Sequence, residues 1–401
     1  MLQINAFLKS ITALPLLFVL LTFNSLQSQE ASATDEPTFI KSERLDFTLD
    51  TLFTSDEMRT PWGMAFLPNN DILVTDRSGS LYLVQDDKLH SKPIAGVPEV
   101  RAKGQGGLLD IELHPNYEKN GWIYLTYSKP SGDGKLGTTT LARAKLKDHQ
   151  LVEVEDLFDA KPAVKQAHHY GSKIVFDKKG HLYFSVGDRG GKENAQLINN
   201  HRGKVLRLND DGSVPRTNPF VKLEGAMPEI YSYGHRNPQG LAIHPDTDEL
   251  WETEHGPKGG DELNLVKAGQ NYGWPEITYG INYNGTIITE ETVREGIQQP
   301  IMYWLPSIGP CGLTFVTSDR YPKWKGDLLA GSLAFRHIDR LDLQDGRVVH
   351  KEKLLDGLGR IRDISEGRDG YIYVAVEGKP GMIVRLVPVE EEEAKTDIEK
   401  E

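Results

Sequence analysis

"SKIVFDKKGHLYFSVGD", residues 172–188, holds two short apolar runs separated by a polar turn that contains a glycine. Both runs are rich in β-branched and aromatic residues and too short for an ordinary helix, so the stretch predicts strand, turn, strand. The block recurs along the chain. "GMAFLP", "LDIELHP", "GLAIHP", "GLTFVTSD" and "RDISEGRDG" precede the runs "ILVTD" at 72, "IYLTY" at 123, "LWETE" at 250, "LLAGS" at 328 and "IYVAV" at 372. Many blocks gain a third run, such as "GSLYLV" or "GKVLRL". Six repeats of this order predict an all-β, six-bladed β-propeller, each block forming one small twisted sheet. A β-sandwich would not require six repetitions of the block.

The repeats are longer than compact propeller repeats. Insertions such as "GKENAQLINNHRGK" and "HGPKGGDELNLVKAGQNYGWPEITYGINYNG" account for the excess, and are expected around the channel mouth. The propeller is expected over 45–388, after a linker at 34–44 and before an acidic, solvated tail at 389–401. Lys9, the apolar run "ITALPLLFVLLTF" and the small residues Ala31 to Ala33 fit a secretory signal peptide over 1–33. The run is shorter than a membrane span requires. A periplasmic or secreted protein without stable membrane insertion is therefore expected. The net charge of −12 argues against a nucleic-acid partner, and Cys311 alone permits neither an internal disulfide nor a thiolate zinc cluster.

Aligning the first strands on Phe66, Leu113, Phe176, Ile243, Phe315 and Ser365 brings unusual polar residues into one window: Gln105, His169, Arg236, Asn237, Arg360 and Arg362. First strands of propeller blades lie nearest the axis, so their entrance loops converge on one pocket. Three arginines there call for an anionic partner. The plainer alternative pairs each with a local carboxylate such as Asp363 or Asp188. His169 in that company reads as a general base, and His168 as an orienting or structural neighbour. "EHGPKGGDELNLVKAGQNYGWP", 254–275, combines carboxylates with turns that expose carbonyls, which suits calcium as well as a plain charged loop. "GQGGLL", "GDRGG" and "GPKGG" are neither dinucleotide nor Walker signatures.

With these residues in place, the chain resembles the soluble pyrroloquinoline quinone (PQQ) dependent sugar dehydrogenases, the glucose/sorbosone dehydrogenase family, in its bacterial periplasmic aldose dehydrogenase branch. "PWGMAFLP", "GQGGLLDIELHP", "HHYGSKIVF", "YGHRNPQGLAIHP", "EHGPKGGDELNLVKAGQNYGWP" and "GRIRDI" occur in the family's order. The resemblance implies a six-bladed propeller that carries PQQ and Ca2+ over the channel. It implies His169 as general base, and Gln105, Arg236, Asn237, Arg360 and Arg362 as cofactor contacts. Gly256 and Pro257 match carbonyl ligands of an active-site calcium, Glu262 and Tyr272 ligands of a second calcium, and Tyr303 and Trp304 aromatic groups at the sugar entrance.

Three positions depart from the family pattern. Ala334 replaces a frequent lysine, with Arg336 two residues on. His168 stands where glucose-oxidising members carry aspartate, and Arg189 occupies a third substrate-pocket position. The implied reaction oxidises the C1 hydroxyl of an aldose to the lactone by hydride transfer to PQQ, then passes electrons to an external acceptor, in a monomer or homodimer. A non-catalytic propeller that binds carbohydrate or a protein, and a PQQ enzyme acting on a non-sugar alcohol or aldehyde, are the alternatives.

Overall fold

The computed structural model describes residues 39–389. The expected signal peptide at 1–33 and nearly all of the expected acidic tail lie outside them. Six antiparallel sheets carry the described chain. Their first strands are Pro61–Phe66, Leu108–Leu113, Ile174–Phe176, Pro238–Ile243, Pro310–Phe315 and Arg360–Glu366, for blades 1 to 6 respectively. Each neighbours the next around the ring, and the sixth neighbours the first. This is the expected six-bladed propeller. Helix is limited, among the described residues, to Tyr117–Asn120 and a 3-10 turn at Lys192–Gln196 inside one of the long insertions.

Burial explains the continuous apolar runs. Ile72–Asp76, Leu182–Val186, Leu250–Glu254 and Leu328–Ser332 are buried at every residue, because each lies mid-blade with both sheet faces covered by neighbouring blades. The core is accordingly a set of clusters between blades. Leu73 and Leu81 of blade 1 pack with Leu108 and Ile111 of blade 2; Trp251 of blade 4 packs with Phe315 and Leu328 of blade 5.

The chain closes the ring with its own beginning. Phe47–Ser55 pairs antiparallel with Gly381–Pro388, from Phe47↔Pro388 to Ser55↔Gly381 with a register shift between Thr51 and Phe53, as an outer strand of blade 6. Phe39–Ile40, inside the stretch read as a linker, adds a fifth strand. Arg385 fastens this seam, lying 2.5 Å from Asp50 and 3.1 Å from Asp87.

At the axis, Lys173 Nζ lies 3.0 Å from Asp110 and 2.9 Å from Asp363. Asp110 Oδ2 accepts Ile174 N–H and Asp363 Oδ2 accepts Met64 N–H, so four blades meet on these three charges. Burial pulls the Lys173 pKa down, but the two carboxylates more than offset it and hold the ammonium above its usual range.

Candidate functional site

The loops entering the first strands and leaving the second strands share one face of the ring. A cavity of ≈ 380 Å³ opens there, lined by Trp62, Gln105, Asn237, Gln239, Arg360 and Arg362 from the entrances, and by Arg77, His255, Leu333, Ala334 and Glu377 from the exits. Four of the six window residues thus share the cavity. Arg236 does not. It is buried, donates from Nη1 to His255 O (2.8 Å) and Gly256 O (2.6 Å), and lines the adjoining cleft with Glu254, Glu262 and Tyr272.

The carboxylate partner of the arginines is Glu377, not Asp363 or Asp188. Arg360 Nε lies 3.3 Å from Glu377, and Arg362 pairs with the other oxygen of the same carboxylate. Arg236 bonds to backbone carbonyls instead. Arg77 adds a third guanidinium to the cavity, its Nε buried without a hydrogen-bond partner. Burial, then the charge of Arg362, lowers its pKa. Three guanidiniums against one carboxylate leave the cavity strongly cationic.

His169 lies alongside, in a left-handed backbone conformation (φ 54°) of the strained kind that concentrates at functional sites. Its N–H donates to Gln105 Oε1 at 2.7 Å. Its Nδ1 lies 2.6 Å from Asp188 Oδ1, and Trp274 Nε1 donates to Asp188 Oδ2 at 2.8 Å. Asp188 is therefore the orienting residue, and His168 is not. His168 is exposed and meets the His169 ring edge to face at 4.8 Å. The "VGDRGG" loop reaches His169 because Gly187 has no side chain: a Cβ there would stand 2.4 Å from His169 O. Burial lowers the His169 pKa; the Asp188 hydrogen bond opposes this, and the charge of Arg236 adds to it. Burial alone would raise Asp188, yet the bond to His169 brings it below the usual carboxylate range.

Burial and the Arg236 charge push His255 down to about 3. Its Nε2 lies 2.9 Å from Pro310 O, so this neutral ring donates there and shapes the cavity wall. Asn237 Oδ1 accepts Gly171 N–H at 3.1 Å, and its amide nitrogen lies 3.5 Å from His255 Nδ1.

Two residues placed by sequence at the sugar pocket lie elsewhere. Trp304 is buried in the blade 4–5 core and donates from Nε1 to Asp339 at 2.7 Å. Arg189 is 3% exposed, with its guanidinium 3.4 Å above the Tyr170 ring. Tyr303 is 45% exposed and stacks on Tyr279 at 3.9 Å, an aromatic partner not singled out from sequence. Ala334 lines the cavity, whereas Arg336 is not among its lining residues.

The cleft beneath Arg236 gathers carboxylates. His235 Nδ1 lies 3.1 Å from Glu254 and 3.9 Å from Glu252, and the Asn264 amide donates toward Glu252, Glu254 and Glu262. Tyr272 stacks on His235 at 4.6 Å. Glu252 Oε1 and Asn264 Oδ1 are buried without partners. Three carboxylates beside these two orphaned oxygens, one of Glu252 and one of the Asn264 amide, fit a hard cation. Gly256 and Pro257 fit less completely: one lone pair of each carbonyl is already taken, by Arg236 and by Ser307 Oγ (3.2 Å).

The site residues outside the entrance window share a position. Arg77, Asp188, His255, Leu333 and Glu377 all stand at the exits of second strands, which the repeats locate as clearly as the entrances.

Comparison with known proteins agrees with this arrangement. Residues 58–385 match the family Glucose / Sorbosone dehydrogenase. Aldose sugar dehydrogenase YliI of Escherichia coli (strain K12) is 39% identical over 347 residues, covering 85% of this chain and 93% of the relative. A crystal structure of a glucose dehydrogenase superposes with a TM-score of 0.82 at 40% identity, over 86% of this chain and 100% of that one. The PQQ-bound aldose sugar dehydrogenase of Streptomyces coelicolor superposes with a TM-score of 0.70 at 27% identity, over 88% and 100%.

Proposed function

Because the chain belongs to the Glucose / Sorbosone dehydrogenase family, we propose that its propeller mouth oxidises the C1 hydroxyl of aldose sugars to the lactone by hydride transfer to PQQ, with calcium assisting and an external electron acceptor downstream. The observation that carries this reading is the His169–Asp188 pair, 2.6 Å apart, beside a cationic cavity. With Nδ1–H donated to Asp188, His169 Nε2 keeps its lone pair and can take the hydroxyl proton. Burial and Arg236 favour that neutral form.

The cavity fits a planar anionic quinone. Arg77, Arg360 and Arg362 would bind its carboxylates, Glu377 would hold two of those guanidiniums in place, and Gln105 and the Asn237 amide would add polar contacts. When bound, PQQ supplies an electrophilic quinone carbon and calcium a Lewis acid. Glu262, with Glu252, Glu254 and the Tyr272 backbone, would hold one calcium. Gly256 and Pro257 would contribute one free lone pair each to another, the remaining oxygens coming from the cofactor. His168 and the Tyr279–Tyr303 pair would flank the sugar. Export follows from the N-terminal reading; among the described residues no helix is long and apolar enough to cross a membrane.

The test is reconstitution with PQQ and Ca2+, followed by dye reduction with a panel of aldoses and non-sugar alcohols. Lactone formation from aldoses is expected. PQQ binding without turnover on any substrate would favour a non-catalytic propeller, and absence of both would overturn the reading.

A further inference from the structure

Every blade places an exposed cation in the loops of the mouth face: Arg59 from blade 1, Lys103 from blade 2, Lys165 from blade 3, Lys258 from blade 4, Arg336 from blade 5 and Lys379 from blade 6. None of them makes an ion pair among the described residues, and Arg59 Nε donates only to the backbone carbonyl of Asp56, at 3.0 Å. Of the exposed carboxylates in the same loops, Asp133 and Asp356 are already engaged by Lys135 (2.6 Å) and Lys353 (3.6 Å). Asp56, Glu57, Glu99 and Glu193 remain, and Lys161 adds a further free cation. The rim is therefore positive on a chain whose net charge is −12, and it surrounds a cavity that is itself cationic.

Two large apolar side chains border that cavity. Phe335 and Leu305 are 46% and 67% exposed. Phe335 directly follows the cavity-lining Ala334, and Leu305 lies against Gly259 in the turn after Pro257. An apolar centre within a polar rim is the layout of a protein interface, and electron-transfer encounters use the smallest of these. Separated surface cations add little to tight binding, but they steer an oppositely charged partner and fix its orientation.

Resting on the oxidoreductase reading above, we propose that this face docks a small acidic carrier protein that accepts one electron at a time, and that this carrier is the external acceptor. Oxidation of the C1 hydroxyl to the lactone releases two electrons and two protons. Two oxidised carriers take one electron each in turn, and the protons pass to solvent. The cation ring centres the carrier over the cavity, so each electron leaves through the face by which the sugar enters. A uniformly anionic bilayer fits less well, because Asp56, Glu57, Glu99 and Glu193 would face it.

The test uses the full-length protein reconstituted with PQQ and Ca2+. Its reoxidation after reduction by sugar is followed with plastocyanin, whose surface is acidic, with mitochondrial cytochrome c, whose surface is basic, and with a small uncharged quinone. The rate constant with plastocyanin should fall about tenfold or more from about 20 to about 200 mM salt, while that with cytochrome c does not fall and that with the quinone stays level. Lys103→Glu combined with Lys165→Glu, and separately Arg336→Glu, should each slow plastocyanin several-fold and leave turnover with the quinone unchanged. A plastocyanin rate indifferent to salt and to these reversals, beside normal quinone turnover, overturns the docking proposal alone. So does tighter binding to phosphatidylglycerol vesicles than to plastocyanin. If no acceptor is reduced, the oxidation reading fails, and titration of plastocyanin into the protein at low salt still decides the docking: binding that the reversals abolish upholds it, and no binding overturns it.

Discussion

Asp188 Oδ1 and His169 Nδ1 stand 2.6 Å apart, joining the exit of one strand in blade 3 to the entrance of another. The bond fixes which ring nitrogen carries the proton, and so which one can accept another. His169→Ala should abolish turnover while PQQ titration stays near normal. Asp188→Asn should lower kcat by roughly 10²- to 10⁴-fold, the scale of losing an oriented base. Single-turnover kinetics on the reconstituted protein checks both; an unchanged rate in either variant removes the corresponding role.

The pH profile follows from the direction of the His169 shift. Its pKa is lowered by burial and Arg236, so the neutral base persists below the ordinary histidine value of about 6.5. The acid limb of kcat/KM should therefore fall with its midpoint below pH ~6.5. In Asp188→Asn, which loses the contribution opposing the shift, the midpoint should move lower still.

Arg77 enters the cationic cavity beside Arg360 and Arg362 but was invisible in the entrance window. A charge-assisted contact is worth about 1.5–3 kcal/mol, so Arg77→Ala should weaken PQQ binding by about 10- to 100-fold. Absorbance titration measures it. Arg336→Ala, whose residue lies outside the cavity lining, should leave affinity unchanged.

Removing Lys173 would leave Asp110 and Asp363 buried without a counter-charge. Lys173→Met should cost about 3–5 kcal/mol of stability in denaturant melts. Adding Asp110→Asn should recover part of that loss, because the two sites share one network.

Exhaustive chelation should lower the melting temperature and Ca2+ should restore it, with Mg2+ much less effective at an oxygen-rich pocket of this kind. Glu262→Gln should blunt the response. A melting curve indifferent to chelator would show that Asn264 and His235 alone are enough to hold the carboxylates together.

The strands were legible because each blade is buried on both faces, which writes unbroken apolar runs into the sequence. Anchors such as Phe66, Leu113 and Phe176 end their first strands as aligned. The His169 entrance and the Arg360, Arg362, Gln105 and Asn237 group followed from that alignment. Side-chain direction did not. Trp304, the last residue of the strand Met302–Trp304, and Arg189, in a loop, both turn into the interior, and Arg236 turns toward the carbonyls of its own blade. Arg77 and Glu377 stand at strand exits, where nothing in the sequence separates them from ordinary turn residues, and Asp188 is legible there only as a carboxylate for a nearby arginine.

Closure of the ring by Phe47–Ser55 against Gly381–Pro388 also sets an order of events during biogenesis. The edge of Phe47–Ser55 that meets Gly381–Pro388 must wait unpaired until that strand has been synthesised, exposed throughout. Arg360, Arg362 and Glu377 belong to that final blade, so two of the cavity's three guanidiniums and their carboxylate are completed only when the seam closes. A ribosome-stalled or clipped chain lacking the last strand would have His169 and Asp188 in place yet no competent pocket for the cofactor, which ties loading to completion of the chain.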